Sequence, residues 1–165
     1  MAVFPVRFFG DPVIREKSLK VIKLDKEVST LCRNMADTMY ESQGVGLAAP
    51  QIGILKQIIV IGMDDESFVA YVNPKIVEYL GPEETDEEGC LCLPDIRVPV
   101  RRSRKVVVEA LDLKGRELEL EAEDMLARIL QHEIDHLDGL TILDRTEAGE
   151  RRRAIGEFME RHGNA

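Results

Sequence analysis

Long apolar runs are missing from this chain. No segment approaches the roughly 20 consecutive apolar residues that a membrane-crossing helix needs. No leader segment is expected at the start of this sequence either. The chain begins Met-Ala-Val-Phe-Pro-Val-Arg-Phe-Phe-Gly, where Pro5 and Arg7 interrupt the apolar stretch of a secretion signal. The same segment is too poor in Ser and Arg for an organelle transit peptide. Both absences lead to the expectation of a cytoplasmic protein. Positive charge is in deficit: 22 Lys and Arg stand against 31 Asp and Glu, a net charge of −9. Broad binding to nucleic acid or anionic membrane needs clustered positive charge, so neither DNA nor a membrane is an expected partner. Cysteine is scarce and odd in number (Cys32, Cys90 and Cys92), which speaks against a disulfide framework. Internal repeats, low-complexity tracts and long linkers are absent as well.

What is present fits one domain over residues 1–165, with 44% hydrophobic residues to build one sizeable core. Residues 25 to 41 predict a helix with Asp25 as N-cap, because Val28, Leu31, Cys32, Met35 and Met39 recur at helical spacing. Cys32 in that stripe reads as a buried small hydrophobe. Gly44-Val45-Gly46 breaks the helix. Residues 57 to 61 form a short strand rich in β-branched residues. Residues 68 to 80 hold two strand pieces around Asn73-Pro74. Residues 104 to 113 and 116 to 121 read as a hairpin turning at Lys114-Gly115. Its second arm alternates Leu118, Leu120 and Ala122 with acidic residues, so one face is wet. Residues 123 to 138 predict a second helix that ends before Gly139, with Leu126, Ile129, Leu130, Ile134 and Leu137 as its apolar surface. A third helix is expected from about residue 147 to 161. Helix, antiparallel strands and then helices make an α+β domain.

Residues 132 to 136 read His-Glu-Ile-Asp-His. Two imidazoles four residues apart share one helix face and can reach one metal ion. Glu133 lies beside that ion, where a carboxylate can move a proton to or from water. Two of the chain's three His residues fall in this motif, which weakens the view that they are merely solvated. An open catalytic site takes three protein ligands and leaves a position for water. The third ligand must therefore come from elsewhere. Cys90, in the Gly- and Pro-bounded segment Glu88-Gly89-Cys90-Leu91-Cys92-Leu93-Pro94, is the best candidate, since thiolates bind zinc and ferrous iron well. From spacing alone it reads equally as a packed cysteine. The small residues of Gly44-Val45-Gly46-Leu47-Ala48-Ala49-Pro50-Gln51 allow another backbone or a ligand to come close, or simply make a tight turn into a strand.

Taken together, residues 44–51, 88–92 and 131–136 resemble, in order and spacing, the three signature motifs of the peptide deformylases: G-φ-G-φ-A-A-x-Q with φ apolar, E-G-C-L-S, and H-E-x-D-H. The first and third match at every fixed position. In the second, Cys92 stands where the family usually has Ser. The compact length resembles the first class of bacterial deformylases. The resemblance implies antiparallel β-sheets packed around a central helix that carries His132 and His136, with helices near both ends of the chain. It implies Cys90, His132 and His136 as ligands of one divalent metal, with water as the fourth. Ferrous iron is the common metal of the family in cells, and zinc or nickel can take its place. The implied reaction is hydrolysis of the N-formyl group on the initiator methionine of newly made polypeptides, releasing formate. Glu133 would shuttle the proton, and the Gln51 amide and the Leu91 N–H would stabilise the oxyanion. The peptide would lie extended along the Val45-Gly46 and Gly89 backbones. Val45, Leu126, Ile129 and part of the His132 ring would line the methionine pocket.

Four expectations concern residues outside those roles. Arg97 either contacts the bound peptide or is a solvated strand arginine. Glu88, if buried, pairs with a basic group that the sequence does not identify. Arg128 departs from the apolar residue common near its position in relatives; it is placed at the rim, stem packed and head in water, where it would favour acidic residues downstream of methionine. Cys92 is either a buried Ser-like residue or the partner of Cys90 in an inactivating oxidation. Two other functions compete. A zinc protease would draw its third ligand from downstream, with Glu157 and Glu160 at tolerable distance. A closed zinc module would use Cys90, Cys92, His132 and His136 and leave Glu133 and Gln51 idle. Arg151-Arg152-Arg153, a dense basic run, is a solvated helix face offset by Glu147, Glu150 and Glu157, or a weak ribosome contact.

Overall fold

A computed structural model describes residues 2–163. Helix α1 (Lys26–Glu41) begins where the Asp25 side chain accepts the Val28 N–H at 3.2 Å. Five strands follow: β1 (Gly46–Ala48), β2 (Ile58–Gly62), β3 (Phe68–Cys90), β4 (Leu93–Leu111) and β5 (Glu117–Glu123). Then come α2 (Asp124–Leu137), the single turn α3 (Ile142–Arg145) and α4 (Ala148–His162). The strands form one antiparallel sheet in the order β1-β2-β3-β4-β5. The chain is therefore α+β, as expected, but one hydrogen-bonded sheet replaces the several sheets anticipated.

The reason lies in β3 and β4. Asn73-Pro74 was expected to separate two strand pieces. Instead β3 runs on past it through a register shift between Val72 and Lys75, with Asn73 at a φ of 50°. Proline lacks an N–H, so the ladder bulges there rather than ending. The Asn73 side chain meanwhile donates to the Val21 carbonyl and accepts the Val21 N–H, tying down the N-terminal segment. Further shifts fall between Ile76 and Glu78, between Leu80 and Glu83, and between Gly89 and Cys90. Such bulges bend a long hairpin, so one sheet serves three separate apolar clusters.

Strand β2 explains its own composition. Ile58 and Val60 point into the cluster beneath α1, with Val28, Cys32, Met35 and Met39. Ile59 and Ile61 point to the other face, with Ala127, Leu130, Ile134 and Leu137 of α2. A strand covered on both faces has no polar side, hence the unbroken apolar run. The third cluster packs Ile14, Cys92, Leu93, Ile96, Val98 and Val100 against α3 and α4 through Ile142, Leu143, Ala154 and Phe158. The β4–β5 hairpin turns at Lys114-Gly115 as expected. Asp112 Oδ1 accepts the N–H groups of Lys114 and Arg116, and Gly115 takes the φ of 79° that the turn requires. Helix α2 ends where the Leu140 N–H donates to the Asp135 carbonyl and Gly139 adopts a φ of 75°. No helix among the described residues is long and apolar enough to cross a membrane.

Asp144 joins two distant parts of the chain. Its carboxylate accepts the Thr141 N–H at 2.8 Å and receives both bonds of a fork from Arg15 Nη1, at 2.8 and 2.9 Å. Burial pushes this carboxyl up, but those partners hold it below the ordinary value of 3.8. Its contribution is therefore present at neutral pH and fades as pH falls through that lowered value. Asp144→Ala is expected to cost about 1–2 kcal/mol at pH 7. Urea melts at pH 7 and pH 3 check this: the deficit should shrink in acid, and an equal deficit at both would assign it to packing.

Candidate metal centre

Two remote parts of the chain meet at one point. Cys90 ends β3 at a two-residue turn, pairing with Leu93 across it. His132 and His136 lie one turn apart on α2, their ring centroids 5.1 Å apart. Cys90 Sγ is 3.3 Å from His136 Nε2. One donor atom from each of Cys90, His132 and His136 lies within 4.8 Å of the other two. Among the described residues no other group of three or more His, Cys, Asp and Glu is so arranged. A soft sulfur with two imidazole nitrogens suits zinc or a neighbouring first-row dication. His132 Nδ1 is held by Glu88 Oε1 at 2.9 Å, which leaves Nε2 for a cation, the usual outer support of a ligating imidazole. Hydrogen bonding to Cys92 and burial push the Cys90 thiol up to about 12. A dication reverses that preference because it binds the thiolate.

Three further side chains complete the pocket. Gln51 is 1% exposed; its Oε1 accepts the Ala48 N–H at 2.8 Å, so Nε2 must face the Cys90 sulfur, 3.5 Å away. Glu133 is buried, Oε2 lies 4.0 Å from His132 Nε2, and Oε1 has no hydrogen-bond partner. Burial pushes its carboxyl up to about 7. A buried carboxylate with one oxygen this close to the cluster and the other unpaired suits a proton shuttle for water at that point. Gly46 makes room for it: a Cβ there would lie 2.8 Å from Glu133 Oε2. Leu91 follows Cys90 in the turn, packed where a Cβ on Gly44 would lie 2.8 Å from its Cδ1.

Behind His132 stands a buried ionic network that the motifs did not reveal. The partner of Glu88 is Arg102, which donates to it twice, at 3.0 and 3.1 Å. Arg102 also donates to Asp135 Oδ2 at 2.6 Å, and Arg145 grips both oxygens of Asp135. Burial pushes the Glu88 carboxyl up, but bonds from His132 and Arg102 hold it at about 2. A signal for Arg102 did exist: Val98, Val100 and Arg102 alternate on the buried face of β4, and an arginine on such a face needs acidic partners. Arg128 corrects the reading of a solvated rim residue. Its guanidinium donates to Glu88 Oε2 at 2.6 Å, to the Val100 carbonyl at 2.9 Å and to the Glu84 carbonyl at 2.8 Å. Only 12% of the side chain is exposed, because a buried carboxylate and two carbonyls replace the water it would otherwise seek.

The remaining residues fall as follows. Val45 is exposed beside Gly46 at the edge of the sheet. Gly89 and Arg97 face each other across β3 and β4, and the exposed Arg97 donates to the Glu87 carbonyl at 2.9 Å. Ile129 lies one turn before His132, and Leu126 precedes it by three residues; both are partly buried against the α2 cluster. Cys92 is buried, as one expectation had it, yet its sulfur is 3.1 Å from that of Cys90. The turn, not strand alternation, brings the two together. Cys92 is not one of the donors within 4.8 Å of one another, which leaves a closed four-ligand site without support. The protease alternative also lacks support: Glu157 is held by Arg153 at 2.7 Å on α4, and neither it nor Glu160 joins the cluster. Arg153 is further engaged by Glu150.

Comparison with known proteins places this geometry. Residues 3–152 match the family model described as polypeptide deformylase. A peptide deformylase of Natranaerobius thermophilus is 47% identical over 147 residues, covering 89% of this chain and 94% of the relative. The crystal structure of a peptide deformylase from Legionella pneumophila superposes with a TM-score of 0.91 at 38% identity, over 96% of this chain and 95% of that one. The peptide deformylase of Ehrlichia chaffeensis, solved in complex with actinonin, gives 0.92 at 33% identity, over 98% and 99%. A match that runs from the N-terminal segment into α4, at such identity and with the fold intact, leaves one conclusion: the chain belongs to the polypeptide deformylase family.

Proposed function

We infer that this chain is a metal-dependent hydrolase that removes the N-formyl group from the initiator methionine of newly made polypeptides and releases formate. Family membership supports this. The observation that carries it is the meeting of the Cys90, His132 and His136 donors with a buried Glu133, whose Oε1 has no hydrogen-bond partner, and an oriented Gln51. Cys90, His132 and His136 would hold a divalent cation, which would supply Lewis acidity toward water and the formyl oxygen. Ferrous iron is the proposed cation in cells, with zinc or nickel able to replace it. Helix α2 is, in this reading, the central mount of the catalytic residues, and residues 1–165 act as one catalytic domain.

Each side chain then has a defined task. Glu133 takes the proton of the attacking water and delivers it to the departing amine. Gln51 Nε2 and the Leu91 N–H donate to the oxyanion; one such donor contributes roughly 3–4 kcal/mol. The peptide adds as a strand along β1, an outer strand of the sheet, at Val45 and Gly46, and meets the Gly89 backbone on its other side. Arg97, the cross-strand partner of Gly89, meets the peptide beyond methionine in this reading. Val45, Leu126 and Ile129 hold the methionine side chain. The likeness to the Ehrlichia chaffeensis protein supports actinonin as a ligand of this site. The enzyme works in the cytoplasm on nascent chains, with a transient ribosome contact through Arg151 and Arg152.

Protein purified without oxygen, assayed for formate release from a formyl-Met peptide alongside metal analysis, tests the assignment. About one metal per active chain is expected; metal-loaded protein that leaves the formyl peptide intact overturns it. Cys92 leads to a separate expectation. Hydrogen peroxide can oxidise the adjacent Cys90 and Cys92 thiols to a disulfide, two thiol protons leaving with the peroxide oxygens as two waters. Cys92→Ser is therefore expected to resist brief peroxide treatment and to lack the 2-Da mass loss of the wild type (about 2 Da, the two hydrogens). Identical inactivation rates would return Cys92 to a packing role.

A further inference from the structure

Arg128 has no part in the reaction as described, yet it is the second arginine on one buried carboxylate. Arg102 already neutralises Glu88 through two bonds. Burying another guanidinium beside them is costly unless it does something more. Its geometry is specific. Arg128 and His132 are four residues apart on one face of α2, and Glu88 spans them: Oε2 takes Arg128 Nη1 at 2.6 Å, and Oε1 takes His132 Nδ1 at 2.9 Å. Glu88 sits two residues before Cys90 at the end of β3. The other two Arg128 bonds go to carbonyls of Glu84 on β3 and Val100 on β4. One side chain thus ties α2, which carries both imidazoles, to both arms of the hairpin that carries the thiol.

We propose that Arg128 is a positioning residue of the metal centre: by clamping Glu88 it fixes the carboxylate that orients His132 and sets the distance between the Cys90 sulfur and the two imidazoles. The inference rests on the metal-centre reading above. It differs from a role at the substrate rim, because Arg128 Nη1 is committed to Glu88 and the Val100 carbonyl, and Nη2 is held at the surface by the Glu84 carbonyl.

The test uses holoenzyme loaded with Co2+, whose visible bands report ligand geometry, and follows metal release into excess chelator. Arg128→Met is expected to shift the bands and to speed release by about 10–100-fold, the range for lost outer support of a ligating His. Arg128→Lys keeps the charge but not the fork, and its release is expected to be about tenfold faster. Preference between formyl-Met peptides with Asp or Lys downstream should stay as in the wild type. Two results overturn the proposal: wild-type bands and release in both variants whatever their melting temperatures, or a changed Asp-to-Lys preference with unchanged release. If wild-type metal retention proved indifferent to Cys90→Ala, the metal-centre reading itself would fall, a result distinct from either.

Discussion

Glu133→Gln is expected to lower kcat/KM for a formyl-Met peptide by about 10³-fold or more while metal content stays at the wild-type level. A positioned general base contributes on the order of 10²–10⁴. In the proposed reaction one residue both receives the water proton and supplies the amine proton, which puts the loss toward the upper end. The amide is nearly isosteric, and Glu133 makes no hydrogen bond through Oε1, so the fold has little to lose. The carboxyl has the right poise: burial brings it up to about 7, and a dication beside it favours the ionised form that accepts a proton. Steady-state assays with metal analysis on the same preparation decide the matter. Activity within about tenfold of wild type would show that another group moves the proton.

Cys90→Ala is expected to abolish metal retention and, with it, formate release. Two imidazoles do not make a stable open site, and among the described residues no fourth protein donor joins the cluster to compensate. Removing an outer partner of a ligand costs roughly 10–100-fold in affinity, and removing the ligand itself should exceed that range. The substitution spares the fold: Cys90 is only partly buried, and the β3–β4 turn is set by the Cys90 and Leu93 backbones. Chelator competition on purified wild type and variant, with melting curves to show that both are folded, is the check. Metal bound as tightly in the variant would mean that the thiol is packing and that a different third ligand exists.

Sequence reading succeeded where the cause was local. Helix α1 begins one residue after the expected N-cap, because a cap and a 3.6-residue stripe are written in consecutive residues. The paired imidazoles were legible for the same reason: a spacing of four within one helix is a spacing in space. The roles proposed for Gln51, Leu91 and the peptide track rest on resemblance, since nothing in an isolated glutamine or backbone N–H announces an oxyanion donor. Errors arose where a partner lies far along the chain. The acidic stretch through Glu83, Glu84, Asp86, Glu87 and Glu88 carries no strand pattern of its own; it becomes β3 because β4 pairs with it. Arg128 was expected in water because a long basic side chain at the margin of an apolar helix face can reach solvent, while the buried acid that draws it inward stands 40 residues upstream.

The amino-acid order therefore determined which atoms are available: two imidazoles on one helical face, a carboxylate between them, a thiol in a glycine-bounded segment, and the apolar patterns that make helices and strands. The tertiary structure decided which of those atoms meet. It brought Cys90 to His136 across 46 residues and Gln51 to Cys90 across 39, turned Arg102 and Arg128 inward onto Glu88, and left one Glu133 oxygen unpaired beside the cluster. Helical and strand periodicity act over a few residues, whereas the burial that forces charges to pair and donors to converge arises only when distant segments close on a shared core.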